Sequence, residues 1–248
     1  MMRIFSLKGK TALVTGANTG IGRSIARCMA EAGAEVICAG RSSCEDTVAE
    51  IEKGGGKARS LHLDLSDPMA GGKIFEQEGP IDILVNNAGI IRRADAVDYT
   101  EADWDDVMDV NLKAVFFMCQ AFARAAFARG AGGAIVNIAS LLSFQGGIRV
   151  PAYTASKHGV AGLTRLLANE WAAKGINVNA IAPGYIATNN TEALRNDPDR
   201  ARAILDRIPA GRWGEPDDIG GTAVYLTSPA AKYVHGAFLN VDGGWLAR

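Results

Sequence analysis

Thr15-Gly16-Ala17-Asn18-Thr19-Gly20-Ile21-Gly22 stands between a short apolar run, residues 11–14, and an amphipathic stretch that begins at Ile21. Glycines at 16, 20 and 22 let the backbone turn sharply and let another group come close, because no Cβ intervenes. A strand that passes through such a loop into a helix directs the unpaired N–H groups of the first helical turn at one point, which suits a pyrophosphate. The spacing is G-x-x-x-G-x-G, not G-x-G-x-x-G. Its place between a strand and a helix is what separates it from an ordinary turn.

The rest of the chain repeats this opening. Apolar, β-branched runs at 11–16, 34–40, 58–65, 81–89, 133–140, 176–184 and 237–244 alternate with helical-period stretches, among them 21–32, 103–129, 154–174 and 217–226. Runs that are apolar throughout belong to strands covered on both faces, so the pattern predicts one doubly wound, Rossmann-type parallel sheet of about seven strands in a single α/β domain. Gly54-Gly55-Gly56 and Gly71-Gly72 mark loops. Residues 188–216 are the one long break, and an insertion at the carboxyl edge of such a sheet reads as a lid over the ligand crevice.

Composition narrows the partners. The 248 residues are 48% hydrophobic and 21% charged with a formal net charge of −1, so the overall field attracts neither nucleic acid nor an anionic membrane. No signal-peptide core or bilayer-length apolar run is seen, and a cytoplasmic protein is expected. Cys28, Cys38, Cys44 and Cys119 form no C-x-x-C pair and read as free thiols, mostly buried. His62, His158 and His235 lack metal-site spacing, and no metal is predicted.

Three further motifs follow the glycine loop: Asn86-Asn87-Ala88-Gly89 after the fourth run, Tyr153-Thr154-Ala155-Ser156-Lys157 with Ser140 upstream, and Pro183-Gly184 with Thr188. Spacing of four puts Tyr153 and Lys157 on one helix face. A free phenol titrates near pH 10, too high for an efficient base at neutrality, and a neighbouring cation is expected to lower it. With T-G-x-x-x-G-x-G, N-N-A-G, Y-x-x-x-K and P-G-x-x-x-T in order, the chain resembles the short-chain dehydrogenases/reductases over essentially its whole length.

The resemblance implies hydride transfer between NAD(P) and a secondary alcohol or ketone. It gives Tyr153 the proton transfer, Ser140 a hydrogen bond to the substrate oxygen, Lys157 a hold on the nicotinamide ribose as well, and Asn111 a proton-relay water. It makes Gly16, Asn18, Thr19, Gly20, Ile21, Gly22, Asp64, Leu65, Asn87, Ala88 and Gly89 cofactor contacts, and it puts Pro183, Gly184, Ile186 and Thr188 at the nicotinamide carboxamide. Asp64 also reads as an ordinary solvated carboxylate at a strand end. At the end of the second run stand Gly40, Arg41 and Ser42, where a carboxylate would accept from a ribose 2′-hydroxyl and repel a 2′-phosphate. A guanidinium and a hydroxyl favour NADP over NAD, unless Arg41 is simply solvated. Asn18 and Thr19 pull the other way, standing where many NADPH-preferring relatives carry a basic residue.

The crevice rim is polar at Arg92-Arg93, at Gln145 to Arg149, and at Tyr185, Asn189 and Asn190. Arginine grips carboxylate bidentately and amides match hydroxyls, which suits a sugar acid. Long local stretches resemble the family's sugar-acid dehydrogenases, implying a substrate of the 2-deoxygluconate or 2-keto-3-deoxygluconate type. Arg149 is the expected carboxylate clamp, with Arg92 and Arg93 in reserve. Gluconate 5-dehydrogenase, 3-oxoacyl-carrier-protein reductase and a silent NAD(P)-binding regulator are the alternatives. The resemblance further implies a homotetramer built on helices 103–129 and 154–174 and the last strand, and Val115, Phe116, Phe117, Phe122, Leu163, Leu166 and Leu167 are the apolar residues expected to serve it.

Overall fold

In the computed structural model, which describes residues 2–247, the seven apolar runs form β1 (Thr11–Thr15), β2 (Glu35–Gly40), β3 (Lys57–His62), β4 (Ile83–Asn86), β5 (Gly133–Ile138), β6 (Ile176–Pro183) and β7 (Phe238–Val241). They make one sheet in the order β3-β2-β1-β4-β5-β6-β7, every pair parallel. The four strands β1, β2, β4 and β5 are buried at nearly every position, whereas the edge strands β3 and β7 are half exposed. Strand order reverses between β1 and β4, so a crevice opens beyond their carboxyl ends.

The helices are α1 (Gly20–Glu31), α2 (Glu45–Lys53), α3 (Ile74–Gln77), α4 (Glu101–Met108), α5 (Ala114–Ala128), α6 (Pro151–Trp171), α7 (Glu192–Arg195), α8 (Pro198–Leu205) and α9 (Asp217–Thr227). Alternate residues of each strand face opposite ways, which makes two cores. Val14, Val36 and Val136 pack with Ile25 and Met29 of α1 and Ile219 and Ala223 of α9. Leu13, Ile37 and Ile135 pack with Met118 and Phe122 of α5 and Val160 and Leu167 of α6. α1 and α9 approach so closely that a Cβ on Gly220 would collide with the Cys28 sulfur.

Two regions differ from the sequence expectation. The helix expected over 103–129 starts at Glu101, where Thr100 accepts from the Asp103 N–H at 3.1 Å, and is interrupted by a π turn over Asp109–Lys113 that contains Asn111. Such turns interrupt the usual bonding by one residue and recur at functional sites. The break at 188–216 is folded: a 3₁₀ turn at Asn189–Thr191, then α7 and α8, with Thr188 forming a reciprocal capping box with Thr191. α2 is a helix of its own, with Thr47, Val48 and Ile51 turned inward.

Cys38, Cys44 and Cys119 are buried, Cys28 partly so, and all four are free thiols. Burial pushes the Cys38 and Cys119 thiols up to about 12. Among the described residues no cluster of His, Cys, Asp and Glu could hold a metal, and no helix is long and apolar enough to cross a membrane. Of the apolar residues expected at a subunit face, Val115, Phe122 and Leu167 point into the core beneath the sheet, while Leu166 is 47% exposed and Phe116, Phe117 and Leu163 are partly exposed.

Candidate active site

One cleft of about 600 Å³ lies at the carboxyl ends of β1, β4, β5 and β6. Its first wall is the glycine loop. Gly16 and Gly20 hold φ of 66° and 54°, in the left-handed region, and a Cβ on Gly22 would strike the Gly16 carbonyl oxygen. Asn87 braces the loop from behind: its amide donates to the carbonyls of Thr15 and Gly16 at 2.9 and 3.2 Å, and its backbone N–H donates to Thr15 Oγ1. Thr19, at the start of α1, makes no side-chain cap. The first N–H groups of a twelve-residue helix therefore face the cleft unpaired by a cap, across a backbone without Cβ atoms. That cradle fits a dinucleotide pyrophosphate. Ile21, Ala88 and Gly89 complete this wall, and Pro183, Gly184, Ile186 and Thr188 line the opposite side, with the Thr188 methyl against Gly20.

Ser140, Tyr153 and Lys157 meet on the cleft floor. Ser140 follows β5 and accepts from the Leu142 N–H at 3.2 Å, while Tyr153 and Lys157 lie one turn apart on α6. Lys157 is 5% exposed; its ammonium donates to the Ile138 carbonyl at 2.7 Å and lies 5.5 Å from the Tyr153 ring centroid. Burial draws it down from 10.5 to about 8. Burial likewise raises the Tyr153 phenol above 10, and a hydrogen bond with the Ser140 side chain and the charge of Arg93 act against that rise. The sequence led us to expect a phenol lowered by its neighbouring cation. Loss of water around each group sets the direction of both shifts.

Asn111 is fully buried and its amide is committed to the loop after β4, accepting from Ile90 N at 2.8 Å and donating to Ile90 O at 2.9 Å. Its side chain thus holds the cleft wall through Ile90. A buried chain lies behind it: Asn86 donates to Asn137 Oδ1 at 2.9 Å and Asn137 to Thr164 Oγ1 at 3.0 Å, joining β4, β5 and α6.

The other sequence candidates divide by location. Asn18, Thr19, Arg93, Gln145, Tyr185, Asn189 and Asn190 line the cleft. Arg93 donates to the Asn190 carbonyl at 3.1 Å, tying the loop after β4 to the 3₁₀ turn at Asn189–Thr191. Arg149, the expected clamp, does not line it: the backbone there takes φ 63°, and the guanidinium bonds to Asp95 at 2.9 Å on the surface. Arg92 is also outside, between Asp103 and Asp106 of α4. Both are engaged by carboxylates that sequence proximity to Ser140 and Tyr153 does not reveal. Arg41, Ser42, Asp64 and Leu65 lie beyond the main cleft past β2 and β3. Asp64 accepts from the Ser66 N–H at 3.0 Å, which holds its carboxyl low, with a smaller contribution from Arg41.

Sequence reading missed residues of the 188–216 segment and of the turn at Trp245–Ala247. Arg200 of α8, Arg207 just after it, and Trp245 all line the cleft. Tyr185 packs edge-on to Trp213 and tilted against Trp245, with centroids at 5.6 and 4.7 Å. The signal in the sequence was an Arg-rich stretch, and surface arginines are too common to decide anything.

A family model described as enoyl-(acyl carrier protein) reductase matches residues 16–246. The 2-dehydro-3-deoxy-D-gluconate 5-dehydrogenase of Dickeya dadantii (strain 3937) is 55% identical over 252 residues, covering 100% of both chains. The protein of the same name from Bacillus subtilis (strain 168) is 58% identical over 98% of this chain and 97% of its own. An Agrobacterium tumefaciens structure provisionally assigned as a 2-deoxy-D-gluconate 3-dehydrogenase, with bound NADP, is 68% identical with a TM-score of 0.97 over 99% of each chain. A Burkholderia cenocepacia J2315 gluconate 5-dehydrogenase solved with NADP and tartrate is 38% identical with a TM-score of 0.92, over 99% of this chain and 98% of that one. Likeness of this size, from end to end and in both sequence and fold, leaves one family: the protein is a short-chain dehydrogenase/reductase, an oxidoreductase acting on CH–OH groups.

Proposed function

We propose that the protein interconverts a secondary alcohol and a ketone on a sugar acid of the 2-deoxygluconate or 2-keto-3-deoxygluconate type, with NADP preferred over NAD. The observation that carries this reading is the charge of the cleft. Among the described residues no Asp or Glu lines it, whereas Arg93, Lys157, Arg200 and Arg207 do. A cleft so lined draws anions, both the phosphates of a dinucleotide and the carboxylate of a substrate. The names and bound NADP of the relatives point the same way.

The nicotinamide, when bound, supplies the acceptor or donor of hydride. The chain's own share is proton transfer and positioning. Tyr153 exchanges a proton between its phenol oxygen and the reacting oxygen of the substrate. A phenol kept protonated by burial is ready to donate to a ketone, and Ser140, beside it on the cleft floor, adds a hydrogen bond at the same oxygen. As the phenol gives up its proton, the Lys157 ammonium favours the phenolate left behind. Asn111 positions the wall through Ile90. Gly16, Asn18, Thr19, Gly20, Ile21 and Gly22 receive the pyrophosphate, Arg41 and Ser42 the 2′-phosphate, and Asp64 and Leu65 the adenine. Asn87, Ala88 and Gly89 stand along the cofactor, and Pro183, Gly184, Ile186 and Thr188 at the carboxamide. Arg93, Gln145, Tyr185, Asn189 and Asn190 face the substrate, under a lid spanning 188–216.

We read the assembly as a cytoplasmic homotetramer, its subunit contacts supported by the exposed Leu166 and the partly exposed Phe117 and Leu163 on α5 and α6. The activity is tested with NAD⁺ and NADP⁺ against gluconate, 2-deoxygluconate and 2-keto-3-deoxygluconate, with neutral polyols and a 3-oxoacyl thioester as controls. Turnover of one of the two deoxy acids, faster with NADP⁺, is expected. Turnover confined to the controls would overturn the reading.

A further inference from the structure

Arg207 follows α8 and lays its guanidinium 4.1 Å over the ring of Trp245. Trp245 is 4% exposed, wedged against Tyr185, and its indole N–H reaches Gln145 Oε1 at 3.4 Å. Gln145 lies between Ser140 and Tyr153 in sequence. The arginine thus rests on an aromatic platform joined to the loop between Ser140 and α6, while both Arg207 and Trp245 line the cleft.

A guanidinium stacked on an aromatic face keeps its edge N–H groups free, and that edge matches a carboxylate bidentately. Other arginines nearby are engaged at the surface: Arg92 by Asp103 and Asp106, Arg149 by Asp95, Arg212 by Asp218. No carboxylate among the described residues lines the cleft that Arg207 faces. Arg200, one helix length earlier, lines the same space and adds a second positive charge.

We infer that Arg207, held on Trp245 and assisted by Arg200, anchors the substrate carboxylate and is the residue by which this enzyme prefers sugar acids to neutral polyols. The inference rests on the sugar-acid reading above. It makes α8 a specificity element: an acid bound to Arg207 ties the lid to the cleft floor, so remote binding energy orients the reacting carbon against Ser140 and Tyr153.

The test compares wild type with Arg207→Met and Arg207→Lys, using the sugar acid that wild type turns over best and its primary amide. Arg207→Met keeps an apolar stem on Trp245 and deletes the charged fork. Its kcat/KM for the acid should fall by about tenfold or more, as for a lost charged hydrogen bond, while the amide changes by less than about threefold. Arg207→Lys, which keeps the charge without the planar stack, should fall between them. NADP affinity by fluorescence titration should be unchanged in both variants. Equal losses on acid and amide, or no loss on the acid, overturn the clamp while leaving the sugar-acid reading intact. If wild type turns over no sugar acid, that reading fails and the clamp fails with it.

Discussion

The Lys157 ammonium donates to the carbonyl of Ile138 at 2.7 Å, so the base of the Tyr153 helix is pinned to the end of the strand that leads to Ser140. The contact ties Lys157 to the strand end beneath the cleft floor, where its positive charge is almost entirely buried.

That burial has a measurable cost. With the ammonium at about 8 in the folded chain against 10.5 as the ordinary value, folded and unfolded states are both protonated below about 8, and the penalty is fully present there. Between about 8 and 10.5 the unfolded chain binds more protons, so this group makes stability rise with pH, by up to about 3 kcal/mol at ~1.4 kcal/mol per pKa unit. Tyr153 works oppositely at higher pH: its raised phenol keeps its proton in the folded state, so stability falls as pH climbs past about 10. Urea unfolding at about pH 7.5 and 9.5 should show wild type gaining stability relative to Lys157→Met. Parallel pH curves for the two proteins would rule out a buried charged Lys157.

Tyr153→Phe keeps the ring and removes the proton donor. Turnover should fall by about 10²–10⁴, with NADP still binding. The check is steady-state kinetics paired with a cofactor titration, and a variant of near-normal kcat would remove Tyr153 from the chemistry.

Arg41→Ala should weaken NADP by about tenfold or more and leave NAD nearly unchanged, since a charged hydrogen bond to phosphate contributes about 1.5–3 kcal/mol. Dissociation constants for both cofactors decide this. Equal loss would mean that Arg41 reads no phosphate.

Gly22→Ala puts a methyl against the Gly16 carbonyl, backbone that Asn87 already holds from behind. Overpacking of this kind costs about 1–3 kcal/mol, and the loop should shift away from the pyrophosphate. The thermal midpoint should fall by several degrees, and the rise in midpoint that NADP gives wild type should shrink. A midpoint and an NADP response equal to wild type would mean the loop tolerates a side chain there.

Much of this protein was legible before any coordinates. Parallel strands under helices on both faces must be apolar along their length, so β1, β2, β4 and β5 announced themselves, and local spacing put Tyr153 and Lys157 on one face of α6. The π turn at Asn111 left no mark, because it differs from a regular helix by a single hydrogen-bond step. α8 was hidden for another reason: with Ile204 its one buried residue, it has scarcely an apolar stripe to read.

What the sequence by itself determined is therefore the sheet and the glycine loop, both read from residues close together in the chain, while the resemblance to the family pointed to the groups on the cleft floor. Which arginines line the cleft was decided only by tertiary structure. Arg149 stands four residues from Tyr153 yet turns to Asp95, whereas Arg207, more than fifty residues away, comes to the cleft on Trp245. A guanidinium goes where long-range packing supplies a carboxylate or an aromatic face, and no local pattern encodes which of these it will meet.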